Sequence, residues 1–173
     1  MKLVQANAIS LNGLIARENG EEDWLPAEGW TEFVDDAKKY GNFIMGRETY
    51  ELVMKLYPDH NFDDVDVPYK IIVTSNATFT VPDGYVVVRS PEEAKTFLTE
   101  RNTKVGLLVG GGKLNSSFYA RSLIDEVWIT MNPHILGKGR PFISSADFDI
   151  KLKLTDIVRL NKDRVQLKYT VAK

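Results

Sequence analysis

The chain contains no cysteine. Disulfides, thiolate metal centres and a thiol nucleophile are therefore excluded together. Histidine is scarce too: His60 and His134 are the only two, they stand in unlike contexts, and they suggest neither a metal pair nor a catalytic triad. Basic excess is also missing. The formal net charge is -2, so no nucleic-acid footprint is expected. No stretch approaches the roughly 20 consecutive apolar residues of a membrane helix, and the start, MKLVQANAISLNG, is too polar for a secretion signal. These absences lead to the expectation of a cytoplasmic protein with no membrane or nucleic-acid partner.

What is present is the composition of one ordinary globular domain: 173 residues, 43% hydrophobic and 27% charged, read as a single domain over 1–173. The apolar period switches repeatedly between two and about 3.6 residues, which marks strands alternating with helices. KLVQANAI reads as a strand, and Trp30, Phe33, Val34 and Ala37 then form a helical stripe. NFIM is a short strand, followed by a stripe at Tyr50, Val53, Met54 and Tyr57 that Pro58 stops. The acidic segment 59–68 reads as a surface loop. YKIIVT and YVVV are strands, and Ser90, Pro91 and Glu93 spell a capping box ahead of a helix that buries Ala94, Phe97 and Leu98. KVGLLV is apolar enough for a central strand covered on both faces. A helix through Leu114, Phe118 and Leu123 follows, then the strand DEVWITMNP, the loop HILGKGRPF, and two alternating runs separated by NKD that predict an antiparallel hairpin. The sum is an α/β fold with a mixed, mostly parallel sheet of about eight strands and about four helices.

In such a sheet, ligands gather beyond the C-terminal ends of the parallel strands. Three loops matter there. MGRETYE supplies Gly46 for a close backbone turn, Arg47 as a planar cation and the Thr49 hydroxyl in a first helical turn, a plausible phosphate cradle. Thr74, Ser75 and Asn76 end a strand with three short hydrogen-bonding side chains. Gly110, Gly111 and Gly112 remove the Cβ atoms that would hold a ligand away from the backbone, although a triple glycine also serves as a plain tight turn.

Five motifs in order, AISLNGLIA, FIMGRETYE, IIVTSN, LLVGGGKLNSSF and LIDEVWITMNPHILGKGRPF, resemble the dihydrofolate reductase-like fold family. Within it they are most similar to stand-alone relatives of the C-terminal reductase domain of riboflavin-biosynthesis deaminase-reductases. The resemblance implies a three-layer fold and an NADPH-dependent reductase acting on a pyrimidine or pteridine. It assigns Gly46, Arg47 and Thr49 to the cofactor phosphates, with Arg47 on the phosphate that distinguishes NADPH from NADH. Thr74, Ser75 and Asn76 fall beside the adenosine. Gly110, Gly111 and Gly112, with Lys113 and Leu114 behind them, pack against the pyrophosphate and nicotinamide side. Ala8, Asn12, Gly13, Leu14 and Ile15 close over the nicotinamide.

Two departures bear on the substrate. Asn12 stands where riboflavin-type domains usually have aspartate, and Val109 where they commonly have glutamate. Asn12 and Glu28, the latter at the start of the first helix, are the candidate catalytic residues. The riboflavin-type uracil reductase is the nearest likeness. Dihydrofolate reductase activity and a cofactor-binding regulatory module without turnover remain alternatives. A homodimer is expected through the apolar WITMNPHILG segment and the last hairpin.

Overall fold

The computed structural model describes residues 1–172. Its strands are β1 Lys2–Ser10, β2 Leu14–Ala16, β3 Asn42–Gly46, β4 Tyr69–Val73, β5 Tyr85–Val88, β6 Val105–Gly110, β7 Glu126–Asn132, β8 Arg140–Pro141, β9 Leu152–Arg159 and β10 Val165–Val171. Its helices are α1 Glu28–Tyr40, α2 Arg47–Leu56, α3 Pro91–Glu100 and α4 Gly112–Tyr119. The main sheet has eight strands in the order β5-β4-β3-β6-β1-β7-β10-β9, parallel from β5 to β7 and antiparallel from β7 to β9. This is the expected mixed sheet. The remaining two strands, β2 and β8, pair antiparallel and were not foreseen, because HILGKGRPF reads as loop from its glycines.

Parallel strands need helical crossovers, and those helices cover both faces of the sheet. One face packs Phe43, Met45, Ile72 and Leu107 beneath α1 and α2. The other packs Leu3, Ile44, Ile71 and Leu108 against Ala94 and Leu98 of α3 and Phe118 of α4. The alternation along β3 and β4 therefore carries apolar residues in both directions, which is why NFIM and YKIIV lack a polar face. Three layers follow directly. Among the described residues, no helix is long and apolar enough to cross a membrane.

Local chemistry explains three further differences from expectation. Segment 59–68 is not a plain surface loop: a 3-10 turn at Phe62–Asp64 buries Phe62, Val65 and Val67. Asn61 makes that turn possible, accepting from the Asp63 amide at 2.9 Å while its own amide donates to Tyr57 O and Pro58 O. Ser90 does cap α3 by accepting from the Glu93 amide, but the Glu93 carboxylate accepts from Arg89 N at 2.7 Å. The last helix stops at Tyr119, and Leu123 packs from the following turn. As for the expected dimer surface, β7 lies inside the sheet between β1 and β10, leaving β9 as the edge on that side.

Two buried polar side chains fix the layers in register. Asn42 is fully buried between β3 and β6, donating to Val105 O at 2.7 Å and accepting from Leu107 N at 3.1 Å. Arg164, with 4% of its side chain exposed, ties the turn before β10 to α1 and β7. Its Nη1 and Nη2 donate to the Glu32 carboxylate at 2.9 and 2.7 Å, and its Nε donates to Asn132 Oδ1 at 2.9 Å. Replacing Arg164 by methionine leaves Glu32 without its counter-ion. Because Glu32 is partly solvated, the expected loss is about 2 kcal/mol rather than the larger cost of a fully buried pair, read as a lower urea midpoint at unchanged slope.

Candidate active site

A cleft of about 860 Å³ opens where β1, β3, β4 and β6 end and α2 and α4 begin. On one side stand the starts of those two helices. Gly46 caps α2 and Gly111 caps α4, and neither cap has a side chain bonded to the first-turn amides. Both helix starts line the cleft. Uncapped N–H groups at a helix start carry partial positive charge and accept an anion readily. Lys113 bridges the two starts, its Nζ donating to Glu48 Oε1 and Oε2 at 3.0 and 3.1 Å. Arg47 lies along α2 with Nη1 on Glu51 at 2.8 Å.

The three consecutive glycines have three different reasons. Gly110 has φ 113°, in the region that favours glycine, and its peptide bond to Gly111 is cis. At Gly111 a Cβ would lie 3.1 Å from Thr49 Oγ1, so the bare backbone keeps α4 close against α2. At Gly112 a Cβ would fall 2.3 Å from Pro141 O, a backbone atom with no freedom to move aside. Gly111 and Gly112 line the cleft, whereas Gly110 is buried behind it.

Below that wall lies a polar network inside an otherwise apolar layer. Asn7 donates to Val109 O at 3.0 Å and accepts from Gln5 and Asn115, while the Tyr119 hydroxyl donates to Gln5 Oε1. Asn115 donates to Phe142 O at 2.8 Å, and its buried Oδ1 is left unpaired. Burial raises the Tyr119 hydroxyl above its usual range, so it acts as a donor.

The opposite wall comes from α1 and the segment before it. Trp30 and Phe33 of α1 line the cleft with Phe62 and His60, forming an aromatic group whose ring centroids include Trp30–His60 at 4.9 Å and Phe33–Phe62 at 6.0 Å. Glu22, Glu32 and Asp36 line the same side. Burial pushes the Asp36 carboxyl up, partly opposed by Lys39 and Lys168. Glu22 is exposed to solvent at the edge of the cleft, and the protein packed around that edge pushes its carboxyl up to about 7 by desolvation.

The residues expected from the sequence divide accordingly. Ala8, Ile15, Gly46, Arg47, Thr49, Thr74, Ser75, Gly111, Gly112, Lys113 and Leu114 line one cleft. Val109 lines it as well. Gly13 and Leu14 lie in the turn and short strand above it, Gly13 with φ 81° and packed on Phe142. Asn76 holds its own loop, accepting from Thr78 N at 3.1 Å. The two candidate catalytic residues lie elsewhere. Asn12 is exposed and tethers the loop after β1, donating to Leu136 O at 2.7 Å and accepting from Leu136 N. Glu28 is exposed at the first residue of α1 and does not line the cleft. The acids that do line it, Glu22, Glu32 and Asp36, were missed. The available signal was the four-residue spacing of Glu32 and Asp36 beside the Trp30–Phe33–Ala37 stripe, which puts both on its flank.

Residues 1–166 match the profile of the RibD C-terminal domain. The chain belongs to the RibD C-terminal domain family. Among its relatives is the uncharacterized protein YwjB of Bacillus subtilis strain 168, 31% identical over 177 residues that cover 99% of this chain and 98% of that one. Among solved structures, a protein of Shewanella sp. PV-4 provisionally assigned to riboflavin biosynthesis superposes with a TM-score of 0.78 at 22% identity, covering 100% of both chains. Dihydrofolate reductase from Enterococcus faecalis, solved with NADP(H), superposes with a TM-score of 0.71 at 19% identity over 99% of this chain and 97% of that one. The fold of this family member is thus dihydrofolate reductase-like.

Two measurements check the site's construction. Gly112→Ala should lower stability by about 2–3 kcal/mol through overpacking against Pro141 O, while Gly111→Ala should stay within about 1 kcal/mol of the parent in thermal unfolding. For Glu22, a folded-state pKa raised from 4.5 to about 7 means that ionisation costs the folded state. Its stabilising contribution is present below the unfolded value and lost as pH rises through about 7. Glu22→Gln should therefore melt higher than the parent by about 2–4 °C near pH 8 and match it near pH 4, a figure already discounted for solvent in the open cleft.

Proposed function

We propose that this protein is an NADPH-dependent reductase that delivers hydride to a nitrogen heterocycle of the pyrimidine or pteridine kind. The nearest known chemistry is that of 5-amino-6-(5-phosphoribosylamino)uracil reductase in riboflavin biosynthesis. The observation that carries this reading is the pair of glycine-capped helix starts, α2 and α4, opening into one cleft with no side chain on their first amides. A dinucleotide with two phosphate groups fits such a pair.

NADPH, when bound, supplies the hydride. The chain's own residues bind, orient and exclude water. Gly46 and Gly111 admit phosphate to the backbone amides, and Arg47 and Lys113 add cationic charge at the same end. Thr74 and Ser75 offer hydrogen bonds for a sugar or an adenine edge. Ala8 and Ile15 furnish small apolar surface for a flat ring, and β2 closes over it. Glu22, which lines the cleft where Glu28 does not, is pushed up to about 7 and can hold a proton near neutral pH, which suits it to protonating the heterocycle.

The reading extends to assembly. Leu152, Leu154 and Ile157 are exposed on the edge strand β9, at 38%, 46% and 59%, and an open apolar edge favours pairing with a second copy. Light scattering reports the state in solution.

Titration by NADPH fluorescence tests the cofactor, with binding expected at micromolar concentration; absence of binding refutes the reading. Arg47→Ala should weaken NADPH by about 10- to 100-fold and NADH much less, since one charge-assisted phosphate contact is removed. Equal losses for both cofactors would remove Arg47 from that role. Substrate-dependent NADPH oxidation with dihydrofolate distinguishes dihydrofolate reductase activity, and cofactor binding without oxidation on any pyrimidine or pteridine identifies a regulatory module.

A further inference from the structure

We infer that Glu48 is a resident competitor for the cofactor's phosphates: its carboxylate stands at the positive end of α2 and holds Lys113 until a dinucleotide takes both places. This goes beyond the reductase reading and rests on it.

The two helix starts are built alike. Gly46 and Gly111 are their caps, and Glu48 and Lys113 are each the second residue of their helix. A Cβ on Gly111 would lie 3.1 Å from Thr49 Oγ1, so the starts are in contact and their second residues reach one another. Lys113 Nζ donates to both Glu48 oxygens, at 3.0 and 3.1 Å. No side chain bonds the first amides of either helix. Glu48 therefore offsets the positive end of α2 through space, as an acid in a first helical turn does.

An arriving phosphate meets cations that are already engaged. Arg47 Nη1 donates to Glu51 Oε1 and Oε2 at 3.0 and 2.8 Å, Arg121 Nε lies 2.8 Å from Glu92, and Arg140 Nε donates to Glu18 O at 3.2 Å. Of the three acids paired with cations here, Glu51 and Glu92 lie outside the lining of the cleft and Glu48 lies in it. Glu48 is thus the acid that a phosphate at the helix starts has to face.

Binding at this end is then an exchange: Lys113 leaves one anion for another, and the Glu48 carboxylate turns away. The exchange is open to a phosphate because the resident pair is weak. The side chains of Lys113 and Glu48 are 78% and 53% exposed, and an ion pair so well solvated contributes little. What remains afterwards is a carboxylate close to a phosphate, and their repulsion lowers the affinity. As the dinucleotide leaves, Glu48 recovers Lys113. Glu48 therefore sets a ceiling on cofactor affinity and shortens the cofactor's residence.

The test is NADPH fluorescence titration of the full chain and of Glu48→Gln at about 50 and about 500 mM KCl. At the lower salt Glu48→Gln should bind NADPH about three- to tenfold tighter, because the competitor is gone and Lys113 is free. At the higher salt the gain should fall below about twofold, since exposed charges are then screened. Without cofactor the same variant should melt about 1–3 °C lower, because α2 loses its first-turn carboxylate and an ion pair. Tighter binding by a less stable protein separates a competitor from a merely structural residue. Glu100→Gln, at the far end of α3, removes the same charge away from the cleft and should leave NADPH affinity unchanged. Unchanged or weaker NADPH binding by Glu48→Gln, a gain that does not respond to salt, or an equal gain in Glu100→Gln overturns the inference and leaves the reductase reading in place. Absence of NADPH binding in both the parent and Glu48→Gln removes the reductase reading, and this inference with it.

Discussion

The cleft depends on how closely the start of α4 approaches its neighbours. Strand β6 ends between the beginnings of two helices, and at that point a methyl group on Gly111 would press on Thr49 Oγ1, while Gly112 faces Pro141 O at a distance that leaves no room for one. With any side chain at Gly112, α4 would have to back away, and the two helix starts would no longer flank a common space. The positive potential of those starts is a backbone property. It becomes useful only because the backbone is bare and the two helices are held together.

Burial around this point is divided between chemistry and support. The apolar layers hold the helices on the sheet, but the wall beneath the glycines is polar: Asn7, Gln5, Asn115 and Tyr119 satisfy one another almost completely. Such a network fixes side-chain and backbone orientation more narrowly than apolar packing does, since each group must meet a partner. Arg164 has the same effect on the facing wall, where it fixes Glu32 and with it the attitude of α1.

Much of the fold was legible in the chain. The apolar runs of β3, β4 and β6 are two-sided because helices cover both faces, and the stripes of α1 and α2 are one-sided because solvent takes the other; both patterns are local. The glycine and threonine loops were also visible, since special backbone geometry demands particular residues. Asn12 and Glu28 were harder. Their expected roles depended on which way a loop and a helix start point, and tertiary contacts decide that: Leu136 takes Asn12, and solvent takes Glu28. Glu22, Glu32 and Asp36 read as surface charge for the same reason, because only the facing wall turns a solvated helix flank into the lining of a cleft. Asn61 and the pairing of β2 with β8 were likewise invisible, being set by contacts that no periodicity encodes.

That last pairing has a mechanical result. Pro141 is matched to Leu14 in the small sheet, Phe142 N donates to Gly13 O at 3.1 Å, and Pro141 O lies over Gly112. Pro141 is therefore shared by the short sheet above the cleft and by the helix start that forms its wall. Displacing Leu14 from that pairing would also disturb the contact with Gly112, so the two sides of the cleft are joined through one residue.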